Sequence, residues 1–216
     1  MPPVLVIGNK AYSSWSLRPW ILLAAFGIPF EEKIVPLYAA DSKKKILKHS
    51  PSGRVPALID GDAAVFESLA IVEYIAEKYP KKAIWPANRA ARAHARSLAA
   101  EMHAGFASLR SECPTNFRRA VGRRELTPPA AADVARLEAA WAFARKKWGR
   151  GGPFLFGKFC AADAMFAPVA TRIHAYDIDV SAASRAYVDA LLGLPAYQAW
   201  IKDAAKEKWR IEAFET

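Results

Sequence analysis

"VLVIGNKAYSSWSLRPWILLAAFGI", residues 4–28, joins two different patterns within one short span. VLVIGN (4–9) is a short, wholly apolar run suited to a buried strand. LRPWILLAAFG (17–27) reads as a helix ending at Gly27, with Pro29 just beyond as a stop. Three serines, Ser13, Ser14 and Ser16, crowd the junction, and Arg18 and Pro19 follow at once. A helix start exposes unpaired N–H groups and a positive dipole end. A serine there either caps the helix or offers its hydroxyl to an anion held at that end. Ser16 or a neighbour is the expected cap, and Pro19 suits a first turn, where no intrahelical donor is needed.

Outward from this junction the first 80 residues keep changing period. FEEKIVPL alternates like a second strand, and RVPALIDGDAAVFE reads as two strands around a turn at Asp60 and Gly61. SLAIVEYIAEKY is an amphipathic helix closed by Pro80. The order βαβ–ββα places helices against a small mixed sheet. PKKAIWPAN (80–88) has two prolines and no helical period, which marks a linker. Everything beyond it reads as helix. The expected organisation is an α/β domain over 1–80, a linker over 81–88 and an all-α domain over 89–216. No internal repeat is present.

Two further stretches carry chemistry. Pro56 in RVPALI is awkward in a regular ladder and marks an edge, a bulge or a cis bond. A cis bond would leave the Val55 backbone free to pair with an extended peptide; a plain strand-entry proline is the ordinary alternative. In VFESLAIVEYI, Glu67 and Ser68 precede a helix. Ser68 suits an N-cap, but the same helix start can also hold a carboxylate while Glu67 meets an ammonium. Together the three stretches call for a ligand with an α-amino carboxylate, an extended peptide middle and a thiol. Glutathione is such a molecule.

The whole chain resembles the glutathione S-transferase superfamily, in which a thioredoxin-like α/β domain is joined to an all-α helical domain. SSWSLRPWILLAAFGIPFEE is similar in spacing to the S-S-C-S-W-R-V-R-I-A-L run of the zeta class. It is closer still to bacterial serine-type transferases sharing N-x-x-Y-S-S-W-S-x-R-P-W. The resemblance implies that Ser13, or Ser14 if the register slips, stabilises the glutathione thiolate. It also implies that Trp15, Arg54, Val55, cis-Pro56, Glu67 and Ser68 bind glutathione, the co-substrate, and that the protein is a homodimer. The nucleophile would be glutathione's sulfur rather than a serine, and its target a small electrophile, as in detoxification. Isomerase or peroxidase activity at the same site, and a non-catalytic binding protein, are the alternatives. Trp15 at the zeta cysteine position, with Pro19 and Trp20 in place of V-R, weakens the case for the zeta isomerisation. No cysteine stands at that helix start, which disfavours mixed-disulfide chemistry.

In the second domain, Leu98, Met102, Phe106 and Leu109 recur at helical spacing, as do Leu137, Trp141 and Trp148. His103, Phe106 and Arg110 then share one face of the first long helix and are candidates to line the electrophile pocket. Phe106 as core and Arg110 as a surface residue is the plainer reading. An arginine there would favour an anionic or carboxylated substrate. Trp209 either covers the pocket or packs. GKFCAADAMFAP resembles the family's S/T-x-x-D capping motif, with Asp163 kept and Cys160 in place of the hydroxyl residue.

Composition bounds the rest. The 216 residues are 53% hydrophobic and 24% charged, an ordinary globular balance with ample core. No run is long enough for a membrane span, and the first residues lack the basic and apolar regions of a signal peptide, so a cytoplasmic location is expected. Two distant cysteines, Cys113 and Cys160, argue against a disulfide framework, and the four histidines form no metal-ligand pattern. The net charge is +10, with 22 Lys/Arg against 13 Asp/Glu after residue 80, densest in FRRAVGRR and RKKWGR. A solvated basic face or anion steering accounts for it, and nucleic acid is disfavoured because no binding motif accompanies the charge.

Overall fold

The computed structural model describes residues 1–215. Four strands, β1 (Val4–Ile7), β2 (Glu31–Ile34), β3 (Ala57–Asp60) and β4 (Ala63–Phe66), form one sheet in the order β2-β1-β3-β4. β1 runs parallel to β2, pairing Val4 with Glu31, and antiparallel to β3, pairing Leu5 with Leu58. The parallel pair needs a crossover, which α1 (Ser14–Ala25) provides. The antiparallel β3–β4 hairpin turns at Gly61, whose φ of 57° is unstrained only for glycine. β1 is apolar throughout because both of its faces are covered. Leu5 and Ile7 enter the main core with α1 and α3 (Ser68–Lys78), while Val6 packs with Val35, Ala57 and Ile46 of a short α2 (Ser42–Leu47). The sequence reading had no counterpart of α2. Its six residues are too few to show a helical period.

Six helices follow: α4 (Arg89–Ala104), α5 (Ala107–Glu112), α6 (Pro128–Trp148), α7 (Ala161–Ala175), α8 (Ala182–Leu192) and α9 (Pro195–Ala204). The expected class, a thioredoxin-like α/β unit followed by an all-helical one, is the one observed. A 3-10 turn at Pro80–Lys82 and an irregular stretch to Asn88 lie between α3 and α4. α7 is central: every residue but His174 is buried, and it packs against α1, α4 and α8. Its start is held by Asp163, which accepts the backbone N–H groups of Cys160 (2.9 Å) and Leu155 (3.2 Å) and the Tyr187 hydroxyl (2.9 Å). Cys160 is a poor cap in chemical terms. Cys160→Ser is therefore expected to leave the melting temperature unchanged or to raise it, by the equivalent of roughly 0.5–1 kcal/mol. A drop would mean that packing of the thiol outweighs the hydroxyl's bond.

Three expectations fail locally. A serine caps the junction as expected, but it is Ser13, accepting the Ser16 N–H at 3.3 Å, and the expectation that fails is the first-turn place of Pro19. Ser16 is occupied elsewhere, its Oγ accepting the Gly8 N–H at 3.1 Å, so Pro19 lies inside α1 rather than in its first turn. His103, Phe106 and Arg110 do not share one helix. α4 ends at Gly105, where a Cβ would stand 2.9 Å from the Glu101 carbonyl oxygen, and Phe106 has a positive φ of 62°. Arg110 seals the break by donating to the terminal carbonyls of Met102 and Gly105, the place where a helix dipole favours a cation. Finally, residues 154–158 form two isolated β-bridges within what had read as wholly helical sequence.

Candidate functional site

The starts of α1 and α3 open toward a chain of three adjoining cavities. The smallest, of about 240 Å³, is lined by Trp15, Arg54, Val55, Pro56, Glu67 and His103. Trp15, Arg54 and Val55 continue into one of about 530 Å³ that reaches Ser13, Tyr38, Lys43 and Gly53. Ser13 and Trp15 are shared in turn with a third, of about 250 Å³, lined also by Ser14, Arg110, Thr115, Arg172 and Phe214.

At α1 the serines divide the work. The Ser13 hydroxyl accepts the Ser16 N–H and donates to Ser16 Oγ at 2.7 Å, so its proton is committed to the helix. Ser14, the first residue of α1, makes no side-chain hydrogen bond, and it lines the third cavity. It is the hydroxyl free to donate at a positively polarised helix end.

At the opposite wall the Val55–Pro56 bond is cis. Val55 lies outside the β3 ladder and makes no backbone hydrogen bond, leaving its N–H and C=O open to an extended ligand. Glu67, rather than Ser68, is the N-cap of α3, with φ 72° and ψ 128°. A non-glycine residue held in that region is strained, and such strain clusters where ligands bind. Ser68 follows, fully buried, its Oγ without a partner. An unpaired buried hydroxyl at a helix start is costly unless an anion or water meets it.

Between the walls stands Trp15. The guanidinium carbons of Arg18 and Arg110 lie 4.2 and 4.9 Å from its ring centre, and the His103 ring meets it edge-on at 5.2 Å. Burial first, then the Arg18 charge, lowers the His103 pKa below the ordinary imidazole value, so His103 is neutral at pH 7. Its Nε2 is 3.5 Å from Glu67. Phe106 is buried in the core and lines none of these cavities, which removes it from the expected electrophile pocket. Arg110 lines the third cavity and His103 the smallest.

Sequence reasoning missed Tyr12, Thr115, Arg172 and Phe214. One signal was available: Arg172 stands in the mostly apolar α7 without a carboxylate one turn away, and a charge in a largely buried helix needs a reason. The cover of the third cavity had no local signature. Phe214 is brought there by the C-terminal stretch, which Tyr12 and Arg118 hold: Ile211 donates its N–H to the Tyr12 hydroxyl at 3.2 Å, and Arg118 donates to the Trp209 carbonyl at 2.9 Å. Trp209 itself is exposed and does not line that cavity, contrary to one reading of it as a cover. Among the described residues no cluster of His, Cys, Asp or Glu suits a metal, and no helix is long and apolar enough to cross a membrane.

Residues 12–78 match the family of glutathione S-transferase N-terminal domains. A probable maleylacetoacetate isomerase of Caenorhabditis elegans is 33% identical over 107 residues, 50% of this chain and 49% of that protein. A zeta-class glutathione S-transferase of Euphorbia esula is 38% identical over 87 residues, 40% of this chain and 39% of that protein. The matched stretches thus span about half, or less, of these relatives' length. Over nearly the whole chain, the crystal structure of a glutathione transferase homologue from Burkholderia GL BGR1, with bound glutathione, superposes with a TM-score of 0.72 at 25% identity. It covers 96% of this chain and 100% of that one.

Proposed function

We propose that this chain, which carries a glutathione S-transferase N-terminal domain on the glutathione transferase fold, is an enzyme that adds glutathione thiolate to a small electrophile. The observation that carries the reading is the pair of helix starts, α1 and α3, each with a hydroxyl that no protein group satisfies, whose adjacent residues Trp15 and Glu67 line one cavity. In this reading Ser68 and the first N–H groups of α3 hold the γ-glutamyl carboxylate, and Glu67 meets the ammonium. Val55 pairs with the peptide middle, and Arg54 reaches the glycyl end. The thiol then falls at the start of α1, beside Trp15, where Ser14 donates to the sulfur and Ser13 holds the turn that places it. This assignment moves the thiolate contact from Ser13 to Ser14, because the Ser13 proton is already used.

The helix end and the Ser14 hydroxyl both favour the charged form of sulfur, and the thiol pKa falls accordingly. Each unit is about 1.4 kcal/mol, so two modest interactions bring a thiol to mostly thiolate near neutral pH. The bound thiolate forms the new carbon–sulfur bond by adding to an electron-poor double bond of a substrate in the third cavity. The displaced π pair passes to the substrate's electron-withdrawing group and takes up a proton from water. A second reading, reversible addition that isomerises a cis double bond, uses the same thiolate and is favoured by the similarity to the nematode isomerase. A homodimer is part of the proposal by family resemblance.

Calorimetric titration with glutathione tests the reading. Saturable binding is expected, with Ser68→Ala weakening it about tenfold, the value of one hydrogen bond to a charged group. Absence of binding to the wild-type protein would overturn the proposal and leave a fold kept for another purpose.

A further inference from the structure

The third cavity has a feature that glutathione leaves unexplained. Arg172 is 4% exposed, on the central helix α7; its Nε donates to the Cys113 carbonyl at 2.9 Å and its Nη1 to the Pro168 carbonyl at 3.2 Å, while Nη2 makes no bond. Thr115 is 6% exposed, lines the same cavity, and its Oγ1 has no partner. Arg110 adds a second guanidinium to the wall, and no aspartate or glutamate lines the cavity. Behind Trp15, Arg18 is fully buried with Nε, Nη1 and Nη2 all unpartnered. Among the described residues, none of these three arginines forms an ion pair with a carboxylate.

Buried guanidiniums without an acid are expensive, and charges of this kind are ordinarily paired. Burial lowers the pKa of Arg18, and the like charges of Arg110 and Arg172 lower it further. The field converging on this cavity is therefore positive. Apart from the hydroxyls of Ser13, Ser14, Tyr12 and Tyr38, the rest of the wall is apolar: Trp15, Leu37, Pro114 and Phe214.

We infer that this cavity is a carboxylate subsite for the second substrate, with Arg172, Arg110 and Thr115 as donors and the apolar wall holding a flat body. The inference rests on the glutathione reading above and narrows its electrophile to small carboxylates. Arg172 keeps Nη2 and Arg110 keeps Nη1 free of protein partners, so each offers a charged donor to one oxygen of a two-oxygen planar anion, and the threonine hydroxyl supplies one more. The volume of about 250 Å³ admits a body of one ring or a short unsaturated chain.

The test uses benzoate and its neutral isostere benzamide as probes, titrated into the full chain with glutathione titrated in parallel. Benzoate is expected to bind at least tenfold more tightly than benzamide. Thr115→Val, which keeps the side chain's shape, is expected to weaken benzoate about three- to tenfold and to leave benzamide and the melting temperature unchanged. Equal affinities for the two probes would overturn the subsite, and so would displacement of benzoate by glutathione in a one-for-one competition. Glutathione binding without a benzoate preference sinks the subsite alone. A benzoate preference without glutathione binding keeps the subsite and sinks the reading of the larger site.

Discussion

Ser14→Ala is expected to lower kcat/KM for conjugation of glutathione to a model electrophile by about 10- to 100-fold, with little change in glutathione affinity or in melting temperature. The magnitude is that of a hydrogen bond to a charged group, roughly 1.5–3 kcal/mol. It should be expressed in the pKa of the bound thiol, which rises by about one to two units when the donor is lost. The pH–rate profile of the variant is therefore displaced to higher pH, and its activity recovers in alkaline solution. Ser13→Ala should behave differently. It removes the α1 cap and the donor to Ser16, costing about 1 kcal/mol of stability, and it affects turnover only through the position of the turn. If Ser13→Ala shifts the pH profile while Ser14→Ala leaves it in place, the assignment of the two hydroxyls is reversed.

Asp163→Ala carries the largest expected loss of stability. The carboxylate is fully buried and accepts from Leu155 N–H, Cys160 N–H and the Tyr187 hydroxyl. Its removal strands three buried donors, at about 1–3 kcal/mol each before relaxation, and a net cost of about 3–5 kcal/mol is expected. That is a large share of the roughly 5–15 kcal/mol that holds a domain together. The loss should also depend on pH in a definite direction. Burial outweighs these hydrogen bonds and raises the Asp163 pKa from 3.8 to about 6. Between those values the folded chain binds a proton that the unfolded chain has released, so this group's contribution falls as pH rises and levels off above about 6. The stability difference between wild type and Asp163→Ala, from urea melts at pH 4 and pH 7, should be larger at pH 4. A difference that grows with pH would contradict the raised pKa.

These predictions show which parts of the site are legible one residue at a time. The α1 junction was recognisable because a strand, three serines and a helix lie within one short span, and capping is a local event. Which serine caps was not legible. The answer depended on Gly8, eight residues upstream, claiming the Ser16 hydroxyl. The Val55–Pro56 wall and the Glu67–Ser68 helix start were legible for the same local reason. Their unpaired groups emerged only with the fold, since a hydroxyl is unsatisfied only relative to what surrounds it. The continuous face drawn through His103, Phe106 and Arg110 failed because periodicity ran across Gly105 and did not register the break.

The sequence by itself determined the succession of a small mixed sheet with helices and then helices alone, and the three short stretches suited to a thiol, a peptide and an amino acid. Periodicity, capping residues and prolines act over a few residues, and they suffice for that. Only the tertiary structure decided that Arg18, Arg110 and Arg172, from α1, α5 and α7, converge around Trp15, and that Phe214 covers the cavity beside them. Electrostatic cost and cavity shape depend on burial, and burial belongs to contacts between residues far apart in the chain.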